Sequence, residues 1–224
     1  MKSNILRLAC FSLLFSLLHS CNTKEESNKT IEKSDSTLFT LLPSEETGIN
    51  FINKVQNSKE FNIFKYRNFY NGGGVAIGDI NNDGLSDVFL TGNMEPNKLY
   101  LNKGELKFED ISEVAGISGN KPWSTGVVMA DINNDGLLDI YVSNAGNMEG
   151  NNHDNDLFIN NGNGTFTERA HEFNLAETGF STHASFFDYD KDGDLDAYIL
   201  NNSNIPVSSL GYAEQRDVRA QDWE

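Results

Sequence analysis

Cysteine is scarce in this sequence of 224 residues, which contains only Cys10 and Cys21. Cys10 lies inside an N-terminal apolar segment that we expect to be cleaved off, and Cys21 stands at a position typical of lipid attachment. On that interpretation the mature chain keeps no free thiol. A disulfide that staples the fold and a cysteine nucleophile are both excluded, and bound calcium is the replacement that we expect for the disulfide.

Basic residues are also few, since 17 Lys and Arg stand against 33 Asp and Glu and give a net charge of −16. Removal of residues 1–20 would take away Lys2 and Arg7 and leave 15 basic residues. Because the phosphates of nucleic acids are bound mainly by Lys and Arg, this composition excludes nucleic acid as a partner.

Motifs of common catalytic sites are absent: the sequence has no Gly-x-Ser-x-Gly, no Gly-x-x-x-x-Gly-Lys and no His-Glu-x-x-His. His153, with Asp154 and Asp156 nearby, lies in an Asn/Gly-rich stretch (residues 144–155) that is typical of a solvated loop. We interpret His183 as a packing or hydrogen-bonding residue, with ligand binding as the alternative. The sequence therefore identifies no reaction, and we expect no catalytic residues.

Long apolar runs are limited to residues 8–18, which are too few to span a bilayer as a helix. Lys2 and Arg7 precede this run, and a lipobox-like sequence, Leu-His-Ser-Cys, ends at Cys21. This order predicts a lipoprotein signal peptide at residues 1–20 and lipidation of Cys21. More than one acyl chain on Cys21 would anchor the protein stably to a membrane.

Residues 21–45 are polar and charged and show no periodicity, which is typical of a disordered tether. Asn22 replaces the Asp that is associated with retention at the inner membrane. The sequence Lys-Glu-Glu at residues 24–26 resembles the short signal that directs lipoproteins of the Bacteroidetes type to the cell surface. We therefore expect an outer-membrane lipoprotein that faces the exterior, with the periplasmic face as the alternative.

Acidic residues, by contrast, are abundant and form the same nine-residue loop three times. Each loop has side-chain oxygens at positions 1, 3, 5 and 9, a Gly at position 6 and a residue at position 7 whose backbone carbonyl can supply a further oxygen. This pattern suits Ca²⁺, which takes six to eight oxygens at about 2.3–2.6 Å. We call these segments loop 1 (residues 79–87), loop 2 (residues 131–139) and loop 3 (residues 188–196).

Two other structures compete for the acidic loops. An EF-hand needs Glu at position 12 and flanking helices, but position 12 is Leu90, Val142 or Ile199, and the flanking runs are short and apolar or β-branched. We therefore expect each loop to join two strands of a hairpin, closed by the residue at position 9. The other competitor is an Asx-turn that binds no metal, and the threefold recurrence favours the ion.

The loops belong to a larger repeat, because they begin 52 and 57 residues apart, a period suited to a four-stranded blade. A block of the form Asn-x-Leu-Tyr/Phe-x-Asn-x-Gly recurs at residues 97–104 and 155–162 and predicts a second hairpin. One such unit cannot bury both faces of its sheet, so the units are expected to stack radially.

An aromatic residue followed by small residues precedes each loop. These aromatics are Tyr70, Trp123 and Phe180. Stacking on sugars is one interpretation, but the repeated position favours a place in the core of each blade.

Together these motifs resemble the FG-GAP/VCBS repeats of integrin-α-like β-propellers. Residues 69–79 and 113–117 also resemble the bacterial lipoprotein relatives of cartilage acidic protein, an ASPIC/UnbV-associated family. The similarity covers roughly residues 46–204. It implies an all-β fold in which residues 46–224 form about three blades of what resembles a seven-bladed ring, and it marks the fold rather than an activity.

The resemblance also implies about three Ca²⁺ sites, each with four side chains and the carbonyl of position 7. Because loop 3 offers four carboxylates and the other loops offer three, we expect loop 3 to bind most tightly. The implied ligands are Asp79, Asn81, Asp83, Leu85, Asp87, Asp131, Asn133, Asp135, Leu137, Asp139, Asp188, Asp190, Asp192, Asp194 and Asp196.

The repeats are incomplete, because the Asn-x-Leu-Tyr/Phe block does not recur after residue 204. We expect the N-terminal fragment of a longer open reading frame. The alternative is a short protein that completes its ring by oligomerisation.

Two classes of function remain. The first is a calcium-binding, membrane-anchored module for adhesion, binding or scaffolding, whose partner is a protein or a glycan. The second is the N-terminal part of a secreted or surface enzyme, or of a nutrient-capture protein, that acts on glycans or lipids, since FG-GAP repeats also occur in such enzymes. The absence of a reaction motif favours the first class.

Overall fold

A computed structural model describes residues 38–117, 121–145 and 153–202. The chain divides into two units between Leu41 and Leu42. Of the first unit only residues 38–41 are described, and they are exposed. The predicted signal peptide, Cys21 and most of the predicted tether lie outside the described residues. In the described ranges no helix combines the length and the apolar character that a membrane crossing requires.

The second unit is built of antiparallel sheets formed by consecutive strands, which confirms the predicted all-β fold of propeller blades. The first sheet contains β1 (Val75–Gly78), β2 (Asp87–Leu90), β3 (Lys98–Asn102) and β4 (Phe108–Asp110). The second contains β5 (Ser124–Ala130), β6 (Asp139–Asn144), β7 (Asp156–Asn160) and β8 (Phe166–Glu168). The third contains β9 (Phe180–Phe187) and β10 (Asp196–Asn202).

Two helical turns accompany the sheets. Helix α1 (Ser44–Thr47) precedes the first sheet and spans the predicted boundary between tether and repeats, and α2 (Ser112–Ala115) follows β4. Each turn ends at a glycine, Gly48 or Gly116, in the left-handed conformation that stops a helix at small steric cost.

The sheets pack against one another. The first strand of each sheet, which we call its innermost strand, contacts the first strand of the next sheet: β1 packs against β5 and β5 packs against β9. Successive side chains of a strand point to opposite faces. Ile140 and Val142 of β6 therefore join the core shared by the first two sheets, whereas Tyr141 joins the core shared by the second and third. As a result every residue of β6 is buried.

Burial falls sharply in the third sheet, because within the described residues its outer face has no neighbouring sheet. Most of β10 is exposed, and Tyr198 on this strand keeps 63% of its surface in solvent. The same repeat pattern thus gives a buried strand or an exposed one according to its neighbours.

Glycines let the innermost strands approach closely. A Cβ on Gly74 would lie 2.6 Å from the carbonyl oxygen of Thr125, and a Cβ on Gly126 would overlap the carbonyl of Thr182. The repeat therefore needs Gly at this position wherever a following strand packs against it. The third sheet has His183 at the equivalent position.

An aromatic cluster fills the space beside the starts of these strands. Trp123 is 2% exposed and packs at 5.1 Å between ring centroids from Phe69, which is fully buried. Phe180 packs against the same cluster. The predicted place in the core of the blade is confirmed for Trp123. The prediction is wrong for Tyr70, which is 60% exposed because the neighbouring Phe69 occupies the buried position.

Candidate metal centres

Each acidic loop joins the first two strands of its sheet, which confirms the predicted hairpins and contradicts an EF-hand. Loop 1 connects β1 to β2, loop 2 connects β5 to β6, and loop 3 connects β9 to β10. The glycines at position 6, Gly84, Gly136 and Gly193, have φ angles of 85°, 85° and 97°. Glycine adopts this conformation without the strain that a Cβ would bring.

The carboxylate at position 1 organises the turn by accepting two backbone hydrogen bonds. In loop 1, Asp79 Oδ1 accepts from the N–H of Asp83 at 3.1 Å and Oδ2 accepts from the N–H of Gly84 at 2.7 Å. Asn81 Oδ1 at position 3 also accepts from the N–H of Asp83, at 3.1 Å. The same bonds recur in loops 2 and 3, so the three turns share one backbone geometry.

The carboxylate at position 9 reaches back to the start of its loop. Asp87 Oδ2 accepts from the N–H of Ile80 at 3.0 Å, and Asp139 Oδ2 accepts from that of Ile132 at 3.0 Å. In loop 3, Asp196 Oδ2 accepts from Tyr189 at 2.8 Å. Position 9 therefore closes all three loops.

Burial distinguishes the three closing carboxylates. Asp87 and Asp139 are fully buried, whereas Asp196 is exposed. Burial raises the pKa of Asp87 and of Asp139 above the ordinary range, although both accept backbone hydrogen bonds that favour ionisation. The nearby carboxylates Asp83 and Asp79 raise the pKa of Asp87 further.

The second repeat block supports the loops, a role that the sequence analysis missed. Its last Asn donates its backbone N–H to the closing carboxylate: Asn102 to Asp87 Oδ1 at 2.7 Å, and Asn160 to Asp139 Oδ1 at 2.9 Å. The recurrence of this Asn after loops 1 and 2 was the signal that could have revealed the contact.

Adjacent loops are also joined directly. The side-chain amide of Asn160 donates to the carbonyls of Ile80 in loop 1 and Leu138 in loop 2, at 2.8 and 3.1 Å. Asn82 in loop 1 donates its amide to the carbonyl of Gly136 in loop 2 at 3.1 Å. Loops 1 and 2 are therefore linked by polar contacts as well as by the core beneath them.

Loop 3 brings three of its predicted side-chain ligands together. Oxygens of Asp188, Asp190 and Asp196 all lie within 4.8 Å of one another. Two oxygens bound to the same Ca²⁺ lie at most about 4.6–5.2 Å apart, so this spacing fits the ion. Asp192 lies outside this group, and its Oδ1 accepts from the N–H of Asp194 at 3.0 Å.

Loops 1 and 2 differ from loop 3 at position 3, where an Asn replaces an Asp. The amide of Asn81 donates to Asp83 Oδ2 at 2.9 Å, and that of Asn133 donates to Asp135 Oδ2 at 2.8 Å. These two loops therefore offer an amide oxygen in place of one carboxylate oxygen, and one negative charge less. At position 7 the N–H groups of Leu85 and Leu137 donate to the carboxylate of position 5, at 2.8 and 2.9 Å.

The two histidines singled out in the sequence have different surroundings. His153 is half-buried, its Nδ1 lies 3.2 Å from the carbonyl oxygen of Gly179, and its ring packs against Phe180, so the interpretation as a solvated loop residue is wrong for this side chain. His183 is exposed on β9, and its ring lies against Gly126.

Comparison with known proteins finds a matching family model and relatives with partly similar sequences. The family model described as FG-GAP-like repeat matches residues 60–142 and 145–199. Cartilage acidic protein 1 of Xenopus tropicalis is 41% identical over 78 residues, which are 34% of this chain and 12% of that protein. The protein of the same name from Homo sapiens is 38% identical over 76 residues, which are 34% and 12% of the two chains.

The match to these curated relatives is therefore partial, since the aligned part spans only 12% of their length. The family model, in contrast, covers more than half of this chain and includes all three acidic loops. The extent of this match and the repeated antiparallel sheets together identify the repeat architecture. This chain belongs to the family of FG-GAP-like repeat proteins.

Proposed function

We propose that this protein is a calcium-stabilised extracellular propeller module that is anchored to the outer membrane and binds a protein or glycan ligand without catalysing a reaction. The observation that carries the proposal is the threefold recurrence of one loop geometry, with oxygen donors at the same positions each time. The repeated sheets supply a rigid scaffold, and the connecting loops supply the surface that a partner would contact.

The donor sets fit a hard cation. Every predicted side-chain ligand is a carboxylate or an amide oxygen, and the carboxylates of Asp188, Asp190 and Asp196 lie close enough to repel one another. A divalent cation would offset that repulsion and the cost of burying Asp87 and Asp139 as anions. The role of the cation would be structural, because it would hold the turn between the first two strands of each sheet.

Calcium removal tests the proposal. A ligand that binds only the folded state at a hundredfold excess over its dissociation constant stabilises by about 2.7 kcal/mol per site. For a domain of this size, 1 kcal/mol shifts the melting temperature by about 2–4 °C. We expect EGTA to lower the melting temperature by at least about 5 °C, and calcium, added back in excess, to restore it.

The competing structure, an Asx-turn without metal, predicts a different result. Its hydrogen bonds are already complete within the loops, as the contacts of Asp79 and Asn81 illustrate. If melting curves in EGTA and in calcium coincide, the loops are Asx-turns and the calcium proposal fails. Magnesium at the same concentration serves as a control, because its strict octahedral geometry suits these flexible loops less well.

The membrane anchor is tested separately through Cys21, which lies outside the described residues. We propose that this cysteine carries lipid and that residues 24–26 direct the protein to the cell surface. Metabolic labelling with palmitate in a bacterium with two membranes should mark the wild-type protein and not Cys21→Ala. Labelling of both proteins would refute the assignment. Protection of the wild-type protein from external protease in intact cells would favour the periplasmic face.

A further inference from the structure

A cavity of about 330 Å³ lies where the innermost strands of the three sheets begin. The segment before β1, strand β5 and strand β9 each contribute to its wall. Its lining residues carry two aromatic rings, two amide side chains, two threonine hydroxyls and one imidazole, from Tyr66, Trp123, Asn68, Asn71, Thr125, Thr182 and His183. The cavity is distinct from the acidic loops, which lie at the other ends of the same strands.

His183 breaks the repeat at this cavity. The first two sheets have Gly74 and Gly126 at the equivalent position, and all three residues line the cavity. The imidazole Nδ1 lies 2.9 Å from the point where a Cβ on Gly126 would be, so the ring occupies the space that this glycine leaves free. Imidazole can donate and accept hydrogen bonds, and the two glycines offer no such side chain.

Among the described residues the lining carries no Asp, Glu, Lys or Arg, although the whole chain has a net charge of −16. A neutral wall in so acidic a protein favours an uncharged ligand, since a charged ligand would lose hydration without gaining a counter-charge.

The size and chemistry of the cavity narrow the ligand class. Small-molecule sites span about 300–1,000 Å³, so this cavity is at the lower limit and suits a single sugar ring. The rings of Tyr66 and Trp123, which are 7% and 2% exposed, give the wall only a small apolar area, and its amide, hydroxyl and imidazole groups can bind the hydroxyls of a sugar. We propose that the cavity binds one neutral hexose unit of a glycan and that His183 determines the affinity. This inference rests on the proposed binding function and specifies its ligand.

The proposal is tested with methyl glycosides of neutral hexoses, namely glucose, galactose and mannose, on the full chain in calcium. We expect at least one to bind in calorimetry and to show saturation transfer by NMR, and the charged analogues glucuronate and glucosamine to bind at least about tenfold more weakly. His183→Gly, which restores the residue of the other two repeats, should weaken binding by about tenfold or more without lowering the melting temperature.

A matched control is His171→Asn, because the His171 side chain is 76% exposed and contacts Asp154 outside the cavity. Its affinity should stay within about twofold of wild type. Lack of binding by every neutral hexoside at about 20 mM, or full binding by His183→Gly, would overturn the inference. Melting curves in EGTA distinguish the cavity proposal from the calcium proposal. If calcium stabilises the protein but no hexoside binds, only the cavity proposal is refuted. If a hexoside binds but calcium does not stabilise the protein, only the metal sites are refuted.

Discussion

At the scale of single residues, position 3 of the acidic loops determines how much negative charge each loop offers. Asn81 and Asn133 occupy this position in loops 1 and 2, and Asp190 occupies it in loop 3. In all three loops this side chain accepts a hydrogen bond from the N–H of position 5, so the difference is one of charge rather than of backbone shape.

The first prediction exchanges these residues. Asp190→Asn should weaken calcium binding at loop 3 on the order of tenfold, and Asn133→Asp should strengthen it at loop 2 by a similar factor, because ligand charge tunes calcium affinity. Terbium luminescence measures binding at loop 3, since Tyr189 in that loop is 77% exposed and adjoins the site as a sensitiser, and calorimetric titration with calcium measures the Asn133→Asp variant. Equal affinities for both variants and the wild type would show that position 3 is not a ligand.

At the scale of structural elements, loops 1 and 2 are linked by the hydrogen bond between Asn82 and Gly136. Asn134 occupies the same position in loop 2 and has the same φ angle of 58°, but within the described residues its side chain makes no hydrogen bond to loop 3. Asn134 is therefore a natural control for the hydrogen bond between Asn82 and Gly136.

The second prediction compares Asn82→Gly with Asn134→Gly. Glycine tolerates the positive φ angle, so the two substitutions change the local backbone equally. Only Asn82→Gly removes a contact between loops, and it should lower the melting temperature by about 2–4 °C more, which corresponds to about 1 kcal/mol for one hydrogen bond. Equal melting temperatures of the two variants would mean that the bond between the loops contributes nothing.

At the scale of the whole molecule, the third sheet leaves apolar side chains in solvent. Phe187, Tyr198 and Leu200 on β9 and β10 are 44%, 63% and 49% exposed. In the second sheet β6, which corresponds to β10, is buried between two neighbouring sheets. A contiguous apolar face of this kind favours association, either with a further sheet or with a second copy of the chain.

The third prediction concerns that association. The chain of 224 residues, produced alone, should self-associate at micromolar concentration through this face, and Tyr198→Lys should reduce the associated fraction in light scattering after size-exclusion chromatography. Val114→Lys is the control, because Val114 is 79% exposed on α2 and away from β10. A monomeric wild type, or an equal effect of both variants, would exclude the face as the contact.

Much of the fold followed from the sequence because the decisive interactions are short in range. The hydrogen bonds within each acidic loop join residues at most seven positions apart, as between Ile80 and Asp87. The strands on either side pair through the same loop, so the hairpins could be predicted from the spacing alone. The repeat period then implied a stack of sheets, since one unit cannot bury both of its faces.

The tertiary structure decided what depends on contacts between repeats. Sequence alone could not separate buried Asp87 and Asp139 from exposed Asp196, because their burial comes from neighbouring strands. Nor could it show that Phe69 rather than Tyr70 enters the aromatic cluster, since both are aromatic and adjacent. The amino-acid order thus determined the loops and hairpins, whose geometry is local. Packing of distant segments determined burial, the links between loops and the cavity at His183, because those properties exist only once separate strands are brought together.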